Sequence, residues 1–179
     1  VCRVDVGEDG SLSLVPPAAP AKRDKSGDPQ VDKAAILASL RELGVKEGDT
    51  LMVHSSLSAC GHIVGGAKTV IDALVEAVGE DGNFFFPSFQ RSECFLNGTI
   101  SRRWDHRPAD VSRRDSASVL WVGSIPLAFM RLYPDAPRGQ QISHSWTGWG
   151  KRASEMLSLQ RWDDPPFGER SLPMQVKKC

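Results

Sequence analysis

Between residues 50 and 89 the chain reads "TLMVHSSLSACGHIVGGAKTVIDALVEAVGEDGNFFFPSF": an apolar run, a glycine-rich loop, an amphipathic stretch and a second apolar run. Val70, Ile71, Leu74, Val75 and Val78 fall on one face at helical spacing, and Gly79 ends the pattern. The flanking runs "LMVHSS" and "FFFPSF" are short and too apolar for solvated loops, so they predict strands. Strand, helix, strand is a βαβ unit. It needs a right-handed crossover and a sheet covered on both faces. The pattern therefore restricts the chain to the α/β class, with a central, largely parallel or mixed sheet flanked by helices. The first three residues of "LMVHSS" are apolar enough to predict a strand inside the sheet.

Upstream, Asp28 can cap a helix whose first residue is Pro29, with Ile36, Leu40 and Leu43 as its buried stripe and Gly44 as its stop. Residues 1–30 mix charges with Pro, Gly and Ser and carry only scattered apolar side chains. Such a segment cannot bury enough surface to offset its ordering entropy, which predicts a flexible leader and a folded domain over 31–179. The chain opens on Val and stops at "VKKC", which reads as a fragment of something longer. Residues 90–118 are polar and irregular, the composition of a surface excursion that lines a site. "GSIPLAFMRLY" and "GKRASEMLSL" are two further helices.

Charge and cysteine usage exclude several functions. Lys+Arg and Asp+Glu both number 22, and no basic run is interleaved with aromatics, so nucleic acid is not an expected partner. Cys2, Cys60, Cys94 and Cys179 lack any C-x-x-C pairing, which argues against a zinc site and a disulfide framework and fits a reducing cytoplasm. No apolar run approaches the roughly 18 residues of a membrane span, and no signal-peptide core stands near the start.

The glycine loop resembles a Walker A motif that has slipped. Gly61, four residues and Gly66 would require Lys next, but Ala67 follows, and Lys68 and Thr69 arrive one position late. One inserted residue turns the lysine by about 100° on a helix and breaks the phosphate geometry. The spacing also misses G-x-G-x-x-G, so an NTPase and a dinucleotide enzyme are both set aside. Two readings remain: hydroxyls and backbone N–H groups ahead of a helix N-terminus suit a pyrophosphate, or serines and glycines simply build a tight turn.

Four ordered blocks sharpen the choice: "GVKEGDTLMVHSSLSACGHIVGGAKTVIDALVEAVGEDGNFFFPSF" at 44–89, "VGSIPLAF" at 122–129, "SHSWTGWG" at 143–150 and "PPFGERSLP" at 165–173. Together they resemble the aminoglycoside 3-N-acetyltransferase family, which moves an acetyl group from acetyl-CoA to an antibiotic amine. The likeness covers about residues 31–176; in the family a strand-rich C-terminal portion follows. It implies an antibiotic N-acetyltransferase-like fold and a coenzyme A site. His54, Ser55, Ser56, Leu57 and Ser58, with Ile63, Val64, Gly65, Gly66 and Ala67, match the loop that holds the pyrophosphate and pantetheine arm. Ser88 matches a hydroxyl close to the same cofactor. His144 matches the general base of a direct transfer in a ternary complex. Gln141 and Gln160 stand where the family carries histidines.

An aminoglycoside amine is mostly protonated at neutral pH, so its attack on a thioester needs a base, and an imidazole with an ordinary pKa of about 6.5 suits the task. A carboxylate would orient that imidazole, with Asp135, Asp163 and Asp164 as candidates. A polycationic acceptor calls for an acidic cleft, to which Asp105 and Asp110 can contribute. N–H donors in the turn after Ser56 are expected to meet the oxyanion. Cys60 reads as a small packing residue rather than a nucleophile, and Trp146 and Trp149 as caps on the core. The alternative function is an inactive, coenzyme A-binding fragment or pseudoenzyme of the same family.

Overall fold

The structure is a computed structural model that describes residues 27–88, 122–141 and 144–179, together with the backbone of two short strands nearer the start. In chain order the elements are β1 (Arg3–Val6), β2 (Leu12–Val15), β3 (Gln30–Val31), α1 (Lys33–Glu42), β4 (Thr50–Met52), β5 (His62–Ile63) and α2 (Ala67–Val78). They continue with β6 (Asn83–Pro87), α3 (Ser124–Leu132), β7 (Trp146–Gly150), α4 (Ala153–Ser158) and α5 (Leu172–Val176).

The run NFFFP is buried at every position and forms the middle of a three-stranded sheet ordered β4, β6, β7. β4 joins β6 in parallel, with Leu51 opposite Phe84, and β7 returns antiparallel, with Trp146 opposite Pro87. The expected βαβ unit and mixed sheet are present. Side chains along a strand alternate between faces, so the three phenylalanines separate. Phe84 and Phe86 pack with Ile71, Leu74, Val78, Ile125 and Phe129 under α2 and α3. Phe85 packs with Trp146, Ala153, Met156, Leu157 and Leu172 under α4 and α5. Each phenylalanine buried this way contributes about 1.5–3 kcal/mol relative to an exposed one. Trp146 belongs to the second cluster, and Trp149 stacks on Phe84 with ring centroids 5.5 Å apart.

Several sequence expectations need correction. Among the described residues β4 pairs only with β6; its apolar residues are covered by packing across the faces, Leu51 against the α2/α3 cluster and Met52 against the α4/α5 cluster with Val176. The first long helix starts later than Asp28 and Pro29. Gln30–Val31 is drawn into a parallel pairing with His62–Ile63, so the helix begins only after Asp32, whose carboxylate accepts from the Ala35 amide at 2.8 Å. Asp32 is the N-cap. Its stripe is also shifted: Leu37 is buried, whereas Leu43 is 80% exposed at the C-cap. Gly44 does terminate it, at φ +89° with its amide on Arg41 O.

Within the leader, β1 and β2 pair antiparallel from Arg3 opposite Val15 to Val6 opposite Leu12, an element its composition did not foretell. The two downstream helices form where expected, as α3 and α4. The excursion at 90–118 lies outside the described residues. Among the described residues no helix is long and apolar enough to cross a membrane.

Candidate functional site

The topology alone gathers a site. Parallel β4 and β6 leave the sheet on the same side, and antiparallel β7 enters it there, so the segments after Met52, after Pro87 and before Trp146 meet at one end. α2 and α3 both begin on this side. Their N-caps, Gly66 and Gly123, carry no side-chain capping bond, and a Cβ on Gly123 would stand 3.6 Å from Ser55 O. Helix N-termini present unsatisfied N–H groups and a partial positive charge, and the carboxyl ends of strands in such sheets are where ligands bind. The arrangement suits an anion such as a pyrophosphate.

The loop between β4 and α2 is open and polar. His54 is exposed, its ring edge-on to Trp146 at 5.5 Å and 90°. The Ser55 hydroxyl is buried without a hydrogen-bond partner, an unmet polar group of the kind a ligand satisfies. Ser56 and Ser58 bring their hydroxyls to 3.0 Å, and the Cys60 thiol, exposed, leans on Ser56 O. Leu57 turns inward against the α2/α3 cluster. Ile63 is buried while Val64 is exposed, and Val64 O accepts from the Thr69 hydroxyl at 2.6 Å. Gly65 sits at φ +80°, and a Cβ there would collide with Thr69 Oγ1. Gly66 adds φ +67° and hands the chain to Ala67, the first residue of α2. Lys68 is bound to Asp72 one turn along the helix.

His144 lies on the segment that enters β7, two residues before Trp146. Its amide donates to Gln141 Oε1 at 2.5 Å, and its ring meets the 66%-exposed Phe167 at 5.2 Å. Gln141 is buried and donates in turn to Asp164 O at 3.3 Å. Gln160, also buried, donates to Pro165 O at 2.9 Å and Pro166 O at 3.3 Å. Gln141 thus ties the His144 segment to Asp164, and Gln160 braces the turn that leads to Phe167.

Two of the candidate orienting carboxylates are bound to arginines. Asp164 takes a bidentate contact from Arg170, at 2.9 Å through Nε, and a 2.8 Å bond from the Arg161 amide. These partners, Arg170 foremost, hold its carboxyl below the usual range. Asp163 pairs with Arg161 at 3.4 Å, and Asp135 is exposed beside Pro134 in a hollow at the far side of the sheet.

Ser88 is 1% exposed and is bound within the fold. Its amide donates to Ser145 O at 2.9 Å, and the Ser145 hydroxyl donates to Ser88 O at 2.7 Å. Arg138, which sequence reasoning passed over, joins them, donating through Nε to Ser88 Oγ at 3.1 Å and through Nη2 to Ser88 O at 2.5 Å. The signal for it was slight: one arginine six residues before the histidine, of a type usually solvated. Asp105 and Asp110 lie outside the described residues. Two hollows, of about 630 Å³ beside Tyr133 and Trp149 and about 560 Å³ beside Arg152 and Gln175, open near the opposite end of the sheet.

The sequence profile of the family described as aminoglycoside 3-N-acetyltransferase matches residues 52–177. The aminoglycoside N(3)-acetyltransferase VIII of Streptomyces fradiae is 32% identical over 160 residues, which are 79% of this chain and 51% of that protein. The aminoglycoside N(3)-acetyltransferase III of Serratia marcescens is 45% identical over 135 residues, 71% of this chain and 48% of that protein. The solved structure of AAC-VIa bound to sisomicin is similar at TM-score 0.64 and 29% identity, over 82% of this chain and 56% of that one. The chain spans about half the length of the curated relatives it matches.

Proposed function

The chain belongs to the aminoglycoside 3-N-acetyltransferase family, and on that premise we propose that it transfers acetyl from acetyl-CoA to an amine of an aminoglycoside, the 3-amino group of a deoxystreptamine or a related polyamine. One observation carries the reading: the segment that bears His144 enters β7 at the carboxyl ends of β4 and β6, the same end of the sheet as the glycine loop and two helix N-termini that lack side-chain caps. The loop from His54 to Ala67 would hold the pyrophosphate and pantetheine arm, with the Ser55 hydroxyl gaining the partner it lacks. His144 takes the proton as the amine nitrogen bonds to the thioester carbonyl carbon; the carbon–sulfur bond then breaks and coenzyme A leaves as its thiol. N–H donors of the loop and helix starts meet the charge that grows on the carbonyl oxygen. Acetylation removes one positive charge from the antibiotic, the basis of a resistance function. The sisomicin complex of AAC-VIa supports an acceptor of this class, and a reducing cytoplasm, where acetyl-CoA is available, is the fitting location.

A second reading is binding of coenzyme A without turnover. It is favoured by Gln141 and Gln160, which stand where the resembled family carries histidines and are committed to hydrogen bonds within the fold. A thiol-release assay with acetyl-CoA and a deoxystreptamine antibiotic separates the two. Thiol release that depends on the antibiotic supports transfer. Its absence, with coenzyme A still raising the melting temperature, supports binding alone; absence of both effects overturns both readings.

A further inference from the structure

Arg138 brings a positive charge into the junction of three chain segments and meets no carboxylate there among the described residues. Burial pushes its guanidinium pKa down, as desolvation does for any cation. A half-buried cation without a counter-charge is held at a cost, which directs attention to what its bonds accomplish.

Counting hydrogens answers that. The Ser145 hydroxyl spends its hydrogen on Ser88 O at 2.7 Å. The 3.2 Å contact between the Ser88 and Ser145 hydroxyls must therefore take its hydrogen from Ser88. Ser88 Oγ, having given its hydrogen away, accepts from Arg138 Nε at 3.1 Å. The chain of donation runs from Arg138 to Ser88, to Ser145 and back to the Ser88 carbonyl, which Arg138 Nη2 also holds. It is closed, and neither hydroxyl keeps a hydrogen for a ligand. The backbone around Arg138 is fixed as well: Gly139 N–H donates to Trp146 O at 2.7 Å, and Gly148 N–H to Pro137 O at 3.2 Å.

His144 directly precedes Ser145, and its amide is held from the other side by Gln141. We infer that Arg138 is a positioning residue for His144: its planar fork locks Ser88 to Ser145 where β6 ends and β7 begins, and so fixes the peptide from which the imidazole projects. This role rests on His144 acting as the base. It involves no contact with acetyl-CoA, so it predicts a loss in kcat without a change in KM for the donor.

Arg138→Lys keeps the charge but cannot reach two atoms of Ser88 with one planar group. The expected result is a kcat lower by roughly tenfold to a hundredfold, the scale of an ångström-sized misplacement, with KM for acetyl-CoA unchanged. Added guanidinium ion should restore part of the kcat of Arg138→Ala and none of that of His144→Ala. In parallel, the imidazole Cε1–H NMR signal of His144, assigned by its loss in His144→Gln, should move or broaden in Arg138→Lys, while that of His62 in β5 stays in place as the control for folding. An unmoved His144 signal, or a kcat equal to that of the parent chain, would overturn the role. A parent chain without turnover counts against acetyl transfer, and the NMR signal still decides the positioning.

Discussion

The two walls of the site are built on opposite plans. The β4–α2 wall leaves its polar groups available: His54, Ser56 and Ser58 are exposed, the Ser55 hydroxyl has no partner, and two helix starts carry no side-chain cap. The His144 wall commits its own: Ser88, Ser145, Gln141 and Gln160 are buried and bonded, and Arg138 and Asp164 are each held by at least two contacts. A wall that binds a ligand must keep donors unspent until the ligand arrives. A wall that presents a base gains by having nothing left to rearrange, because pre-organised groups need no reorientation at the moment of reaction.

Substitutions can break this contrast, and the largest effect is expected at the base. His144→Ala should lower turnover by about 10²–10⁴-fold while leaving coenzyme A affinity intact by titration calorimetry; unchanged turnover would remove His144 from its role. On the binding wall, Gly65→Ala places a side chain at φ +80° and against Thr69 Oγ1, where left-handed backbone costs about 1–2 kcal/mol. The coenzyme A dissociation constant should rise by roughly tenfold, with kcat at saturation little altered. Equal loss in both parameters would show that the two walls are not separable.

Gln160→Leu tests the committed wall from behind. It removes the donor to Pro165 O and Pro166 O, and losing hydrogen bonds of this kind costs about 0.5–1.5 kcal/mol each. The melting temperature should fall, kcat should fall with it as Phe167 loses its place against His144, and coenzyme A affinity should not.

The smallest effect is one of pH. The Asp164 carboxyl is held below its ordinary value, first by Arg170 and then by the Arg161 amide. Its contribution to stability is therefore complete above the unfolded carboxyl pKa, about 3.9, and is lost as pH falls through the lower folded value. Asp164→Asn should unfold more readily than the parent at neutral pH, and the two melting curves should converge in strong acid. A constant difference across the acid range would deny the link to ionisation.

The fold of the β4–α2 wall was legible in the sequence because its signals are local. A helical stripe, glycines and apolar strands identify the βαβ unit without reference to anything distant, and Gly65, Gly66 and Gly79 all fall at positive φ, where the pattern called for turns. The committed wall was not legible for the complementary reason. Arg138, Ser88 and Ser145 are meaningful only when three separated segments meet, and no periodicity marks an arginine that will be buried. The late start of α1 is the same lesson in small: Asp28 and Asp32 are equally good caps, and a pairing with residues 62–63 chose between them. His144 itself was found by family likeness and not by physics.

The antiparallel return of β7 onto β6 has a consequence for synthesis. A ribosome adding about 5–20 residues per second releases β4, α2 and β6 together, then takes several seconds more before Trp146 can reach Pro87. The nascent chain therefore completes the glycine loop before it can seat His144. On the proposed reading, docking of β7 is the event that turns a receptor into an enzyme.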